Sequence, residues 1–216
     1  MTLSESLVSF TLAACILTLT PGLDTVLVLR QLMTAGASSA RKAALGVALG
    51  CLIWGACVAL GLGMLMTSSI TAFVVVKNLG AIYLLWQGFM MLRKPSELDA
   101  QLDGAPVSAT LSAKHAAFFQ GFWTNVLNPK VGVFYVTLLP QFSVPNVNAG
   151  LYMFCLAVIH VLLSLIWFML LIAAGQTSMN VWRHPAMGTW MNRVTGVILF
   201  GFGFGLKLGA SDISFE

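Results

Sequence analysis

Residues 149–174 contain no Asp, Glu, Lys or Arg. A helix this long with no charged face cannot present one side to water. It matches the hydrocarbon core of a bilayer, which takes about 20 mainly apolar residues to cross. Five further stretches are mainly apolar and long enough to cross, at 6–29, 43–66, 72–92, 116–139 and about 186–208. The last is interrupted by Arg193, and its continuous apolar part is 194–206. A short span with a snorkelling basic residue still crosses. Hydrophobic residues make up 58% of the chain, charged ones 8%, and the mean hydropathy is +0.90. Soluble domains carry charge on roughly a quarter of their residues. The expected fold is therefore an all-α integral membrane protein with six transmembrane helices, and residues 1–216 form a single membrane domain.

Two of the six spans are interrupted by proline. The first reads "LTLTPGLDTVLV" around Pro21, and the fourth reads "TNVLNPKVGVFY" around Pro129. A proline inside a helix removes one backbone donor and clashes with the carbonyl four residues back, so the carbonyls near Leu17 and Asn125 lose their partners. In lipid those groups need protein or water instead. Each break also reads as a helix start, with Thr20 as N-cap and Pro21 at the first position, then Asn128 as N-cap and Pro129 at the first position. Helix N-termini attract anions.

The breaks are 108 residues apart in a chain of 216. Each half opens with a broken helix, continues with an apolar one and closes with a glycine-bearing helix behind a basic residue, "KNLGAIYLL" from Lys77 and "RVTGVILF" from Arg193. The polar segment "RKPSELDAQLDGAPVSATLSAK" between the halves reads as a linker. The division is repeat one at about 1–94, linker 95–114 and repeat two at about 115–216. Because three is odd, the second half runs through the membrane in the opposite sense. The expectation is an inverted repeat of two three-helix halves, an arrangement associated with alternating access. Arg30, Arg41, Lys42, Arg93, Lys94, Lys114, Arg183 and Arg193 lie in or beside the odd connections, against Lys77 and Lys207 on the other side. The odd connections are then cytoplasmic and both termini face outward. Acidic lipid headgroups account for the basic balance without nucleic acid.

Lys130 sits in the first turn of its half-helix, where the dipole disfavours it, and a charge at mid-membrane costs at least about 2.5 kcal/mol. An anionic partner is expected. Asp24 lies one turn into the other half-helix, where it could receive an ammonium group or carry a proton. Gly121, Asn125, Asn128, Gly132 and Tyr135 recur at spacings of four and three, which places a small and polar stripe on one helix face. A cation, an acid, amides and open backbone suit a zwitterion, and free amino acids are the simplest such solutes. The bland alternative is a proline kink with Asp24 and Lys130 neutralising each other. Gly46 with Gly50, Gly55 with Ala59 and Gly63, and Gly201 with Gly205 read as close helix packing. The start "MTLSESLVSFTLAAC" lacks a positive n-region and reads as the first helix. Cys15, Cys51, Cys57 and Cys155 lie inside helices, and His115, His160 and His184 are scattered. Neither set implies a metal, and no cofactor loop is present.

"LTPGLDTVLVLRQ", "KAALGVALGCLIW", "LGAIYLLWQGFMMLR", "GFWTNVLNPKVGVFYVTLLPQF" and "RVTGVILFGFGFGLKLG" together resemble the LysE/RhtB family of bacterial amino-acid exporters, nearly end to end and in order. The resemblance implies efflux of amino acids such as lysine, threonine, homoserine or leucine across the bacterial cytoplasmic membrane, driven by the proton gradient. The matching positions are Thr20, Pro21 and Gly22, then Asn125, Asn128, Pro129 and Lys130. After Gly22 the sequence departs, reading Leu23-Asp24 where many members read Pro-Asn. The amide-to-acid change leaves substrate charge and coupling open. The expected partners are an amino-acid substrate, protons and the lipid bilayer, and a homo-oligomer is compatible with the sequence. An inorganic cation transporter or channel would suit Asp24 but is opposed by Lys130. A membrane-embedded enzyme would need a nucleophile beside a base, and no such motif is present. A binding or scaffold role would be separated from both by transport assays.

Overall fold

The computed structural model describes residues 1–20, 22–68, 70–93 and 111–177, together with 189, 190, 193, 194, 196–198, 200, 201 and 204. All regular structure among them is helical. The elements are α1 (Leu3–Leu19), α2 (Leu23–Ala35), α3 (Ala37–Ser68), α4 (Ile70–Arg93), α5 (Leu111–Val126), α6 (Pro129–Leu138), a 3-10 turn (Leu139–Phe142) and α7 (Ala149–Thr177). The described residues between 189 and 204 are also helical. By length and composition α3 and α7 can each cross a membrane, and α1 with α2 forms a third candidate bent by 48°. The linker and most of the expected sixth span lie outside the described residues.

Local chemistry sets the ends of these helices. Thr2 caps α1 reciprocally with Glu5: the Thr2 hydroxyl accepts from the Glu5 N–H and the Glu5 carboxylate accepts from the Thr2 N–H at 2.8 Å. Asn148 accepts from the Leu151 N–H at 2.9 Å and starts α7 where the apolar run predicts it. Gly36 makes the corner between α2 and α3 alone, closing α2 onto the Leu32 carbonyl at φ 82°, a conformation that favours glycine. This is why α3 begins at Ala37 and not near 43. A one-residue corner lets the polar turn Ser38 to Lys42 start the helix ahead of its apolar portion.

The distribution of side chains is that of a membrane protein. Leu12 and Ile16 on α1, Leu45, Leu49 and Ile53 on α3, and Leu162, Ile166 and Leu170 on α7 are exposed. Ser6, Thr20, Thr25, Gln31, Ser39, Asn125, Asn128, Lys130, Thr137, His160 and Ser164 are buried. Polar groups inside and large apolar groups outside are stable only against lipid.

The centre of the packing is α3, which lies against α5 on one side and α7 on another, with α1 and α2 completing the core. Glycine permits this closeness. A Cβ on Gly46 would sit 2.0 Å from the Phe118 carbonyl oxygen, and one on Gly121 would sit 2.1 Å from that of Ala43, so the α3 and α5 backbones nearly touch. A Cβ on Gly55 would lie 2.4 Å from Ala157 of α7. Among the described residues nothing lies within 4 Å of a Cβ on Gly201, whereas Gly196 meets the Gly88 carbonyl of α4 at 2.8 Å. Gly205 and Gly63 fall outside what the structure describes at side-chain level. Below α6, the 3-10 turn "LPQF" is pinned to α1 and α7: Ser6 donates to the Phe142 carbonyl, Tyr152 donates to Ser6 at 2.8 Å, and Phe10 meets Phe142 edge-on at 5.4 Å.

Candidate functional site

Both helix breaks are present, built differently from one another. At the second, Asn128 is the N-cap of α6 as its sequence predicts. Its side-chain oxygen accepts from the Lys130 N–H at 3.1 Å, with Pro129 in the first turn. At the first break the expected role of Thr20 is corrected. Thr20 is the C-cap of α1, its backbone N–H donating to Ile16 and Leu17 and its hydroxyl to the Ile16 carbonyl at 2.5 Å. Gly22 is the N-cap of α2, in extended backbone and without a side-chain cap. Because α1 ends in its cap at Thr20 and α2 starts from its cap at Gly22, the hydroxyl at 20 belongs to the helix it follows. The carbonyls of Leu17 and Asn125 are not left open either: Thr20 N–H reaches the first at 3.2 Å and Asn128 N–H the second at 2.9 Å.

The two breaks meet. The Lys130 side chain, 5% exposed, crosses from α6 to donate from Nζ to the Thr20 carbonyl at 2.8 Å. A Cβ on Gly22 would lie 3.3 Å from the same Nζ, so the glycine leaves room for the ammonium. This accounts for a cation that the α6 dipole disfavours. Its charge is delivered to the carbonyl end of α1, where the dipole is negative. The partner is a backbone oxygen and not the anion expected from the sequence, which leaves ammonium hydrogens for another acceptor.

Asp24, in the first turn of α2, is held from the other side. Its Oδ2 accepts from Asn125 Nδ2 at 2.9 Å, and the same amide lies 3.3 Å from Cys51 Sγ on α3. Asp24 Oδ1 and Asn125 Oδ1 are buried with no hydrogen-bond partner. Buried acceptors in this state are costly and point to a missing donor. The predicted stripe on the fourth span is buried throughout and runs along α3: Gly121 against Ala43, Asn125 against Gly50, Gly132 against Trp54, and Tyr135 against Gly55.

A cavity of about 40 Å³ lies where these groups converge, lined by Thr20, Gly22, Asp24, Asn128 and Lys130, with Cys51 of α3 and Thr18 of α1. It holds water-sized space and is far below the roughly 300 Å³ at which small-molecule pockets begin, so this conformation is closed around its polar groups. Of the sequence-derived residues, Thr20, Gly22, Asp24, Asn125, Asn128 and Lys130 are brought together. Pro129 is not. It is exposed and lines a separate, mainly apolar groove of about 500 Å³ with Trp54, Leu79, Tyr83 and Val136. Pro21 lies outside the described residues.

Sequence reasoning missed the α7 side of the cavity. His160, 3% exposed, lines it with Ser164. Tyr135 Oη and His160 Nδ1 are 2.8 Å apart, His160 Nε2 and Ser164 Oγ 3.4 Å, and Ser164 Oγ and Thr18 Oγ1 3.5 Å. The signal was available: His160 and Ser164 are four apart, hence on one helix face, inside an otherwise apolar run. Among the described residues no cluster of His, Cys, Asp or Glu could hold a metal ion.

Comparison with known proteins places the chain in a family. The family described as LysE type translocator matches residues 15–209. An uncharacterized membrane protein of Bacillus subtilis (strain 168) is 32% identical over 211 residues, covering 96% of this chain and all of the relative. The leucine efflux protein of Klebsiella pneumoniae is 29% identical over 199 residues, 90% of this chain and 91% of its own. The threonine efflux protein of Escherichia coli (strain K12) is 24% identical over 190 residues, 87% and 90% of the two chains. No solved structure matches the chain at a significant level.

Proposed function

Because this chain belongs to the LysE type translocator family, whose members are transporters and not enzymes, we propose that it is a secondary transporter that exports amino acids across the cytoplasmic membrane. The observation that carries this reading is the pairing, in one buried cavity, of a Lys130 ammonium with donors to spare and an Asp24 carboxylate oxygen with no partner. A zwitterion satisfies both. Its carboxylate meets Lys130, and its ammonium meets Asp24 Oδ1 and Asn125 Oδ1. Efflux of threonine and leucine by similar proteins favours an amino acid over other zwitterions.

In this reading the two broken helices are equivalent parts of an inverted six-helix repeat, and the closed cavity is an occluded stage between inward-facing and outward-facing states. Export is driven by proton entry. Asp24 holds the substrate ammonium through Oδ1, the oxygen that the Asn125 amide does not engage.

Reconstituted protein should show counterflow of radiolabelled threonine or leucine. Lys130→Ala should weaken it strongly, leaving a measurable residual rate, while membrane insertion stays normal, and Lys130→Arg should restore it in part, because a planar fork replaces a point charge. Normal counterflow by Lys130→Ala would reject the assignment. Counterflow of inorganic cations and of no amino acid would favour the cation-transporter reading that Asp24 alone would suit.

A further inference from the structure

We propose that His160 is the group that takes up and releases the transported proton, an inference that rests on the export reading above. The case is geometric. His160 lines the same cavity as Lys130 and Asp24, and reaches it from the middle of α7. Both ring nitrogens are engaged, Nδ1 with the Tyr135 hydroxyl and Nε2 with the Ser164 hydroxyl, which continues to Thr18 on α1. Every neighbour in this chain is a hydroxyl.

A hydroxyl can donate or accept by rotating its hydrogen. In the neutral ring one nitrogen donates and the other accepts. In the imidazolium both donate, and Tyr135 Oη and Ser164 Oγ can both accept. All three forms are satisfied without moving a heavy atom. Asp24 is held differently: its one side-chain bond is to an amide N–H₂, which cannot switch between donating and accepting as a hydroxyl does. Among the described ionisable groups lining the cavity, His160 is the one bonded at both of its titrating atoms by groups that can do either.

The charges facing His160 come from identified elements. Among the described residues lining the cavity, α2 supplies Asp24, α3 supplies Cys51, and α6 supplies Lys130, with Tyr135 of α6 bonded to the ring. From α1 come only hydroxyls. Lys130 opposes a second positive charge and Asp24 favours one. A bound zwitterion screens both, so the ease of charging His160 depends on whether the cavity is loaded, which is the requirement for coupling. A proton arriving as hydronium through cavity water leaves one water behind and converts imidazole to imidazolium. Release on the other side reverses the step.

The test uses the full chain in proteoliposomes, with labelled L-threonine and L-leucine as probes, and compares counterflow with accumulation driven by a pH gradient. His160→Gln should bring accumulation down to the level seen without a gradient while a measurable counterflow persists. Wild-type accumulation by His160→Gln would overturn the proposal, and so would equal loss of both activities in a properly inserted protein. If His160→Gln does not insert, Tyr135→Phe and Ser164→Ala decide. Each removes one acceptor from the imidazolium, so half-maximal accumulation should move about one pH unit lower, whatever the change in the counterflow rate. An unmoved pH profile in both variants overturns the assignment. A wild-type protein that exchanges neither probe would reject the export reading itself, whereas one that exchanges but ignores the gradient would reject only the role of His160.

Discussion

Gly50 offers a sharp test of the idea that Asn125 must stand where it does. A methyl group there would sit 2.6 Å from Asn125 Oδ1, 2.9 Å from its Cβ and 3.0 Å from its Cγ. Ordinary contact begins near 3.4 Å, so Asn125 must yield by roughly 0.8 Å. Backing away as a whole helix is blocked, because α5 is seated on α3 through the Gly46 and Gly121 contacts. The side chain has to rotate, and the 2.9 Å bond from Asn125 Nδ2 to Asp24 then opens past hydrogen-bonding distance. A lost hydrogen bond to a charged group is worth about 1.5–3 kcal/mol, which is roughly 10- to 100-fold in the half-saturating substrate concentration. Overpacking should also lower stability by about 1–3 kcal/mol. Counterflow kinetics and thermal unfolding in detergent measure the two effects separately. Gly61→Ala on the same helix is the control, since nothing lies within 4 Å of the added Cβ, and it should transport normally. Wild-type half-saturation in Gly50→Ala would refute the reasoning, whatever its stability.

Asp24→Asn removes the charge and keeps the side chain's shape, and it should weaken counterflow and gradient-driven accumulation together, by about tenfold or more. Loss of accumulation with exchange intact would move the proton from His160 to Asp24. For topology, single cysteines at Glu5 and beyond Lys207, in a background lacking Cys15, Cys51, Cys57 and Cys155, should both react with an impermeant thiol reagent from outside. Labelling at Glu5 from the cytoplasmic side alone would contradict six crossings with external termini.

Features governed by local chemistry were legible in the sequence. Asn128 before Pro129 reads as a cap because its amide oxygen and the proline ring each fit one position, and the structure places them there. The stripe from Gly121 to Tyr135 reads as buried because four-and-three spacing keeps it on one face even across the break. Thr20 and Pro21 look like the same motif, but Gly22 intervenes and takes the cap. Lys130 reads as needing an anion because sequence reveals its own helix dipole and not the carbonyl end of α1, which comes to it from 110 residues away. His160 was passed over in part for the same reason, since Tyr135 reaches it from α6 only through packing, although Ser164 stands one turn away on its own helix. Pro129 was overvalued, since a residue that breaks a helix need not face the cavity its break creates.

The account's central claim is that one cavity reads both ends of a zwitterion, Lys130 the carboxylate and Asp24 with Asn125 the ammonium. The most direct measurement is inhibition of labelled threonine or leucine counterflow by analogues that lack one end, the N-acetyl form and the amide, alongside the parent amino acid. The account predicts that the parent inhibits and that each blocked form is weaker by about tenfold or more, with Lys130→Ala and Asp24→Asn each abolishing discrimination at their own end only. Equal inhibition by parent and blocked forms, or the same loss of discrimination from either variant, would contradict it.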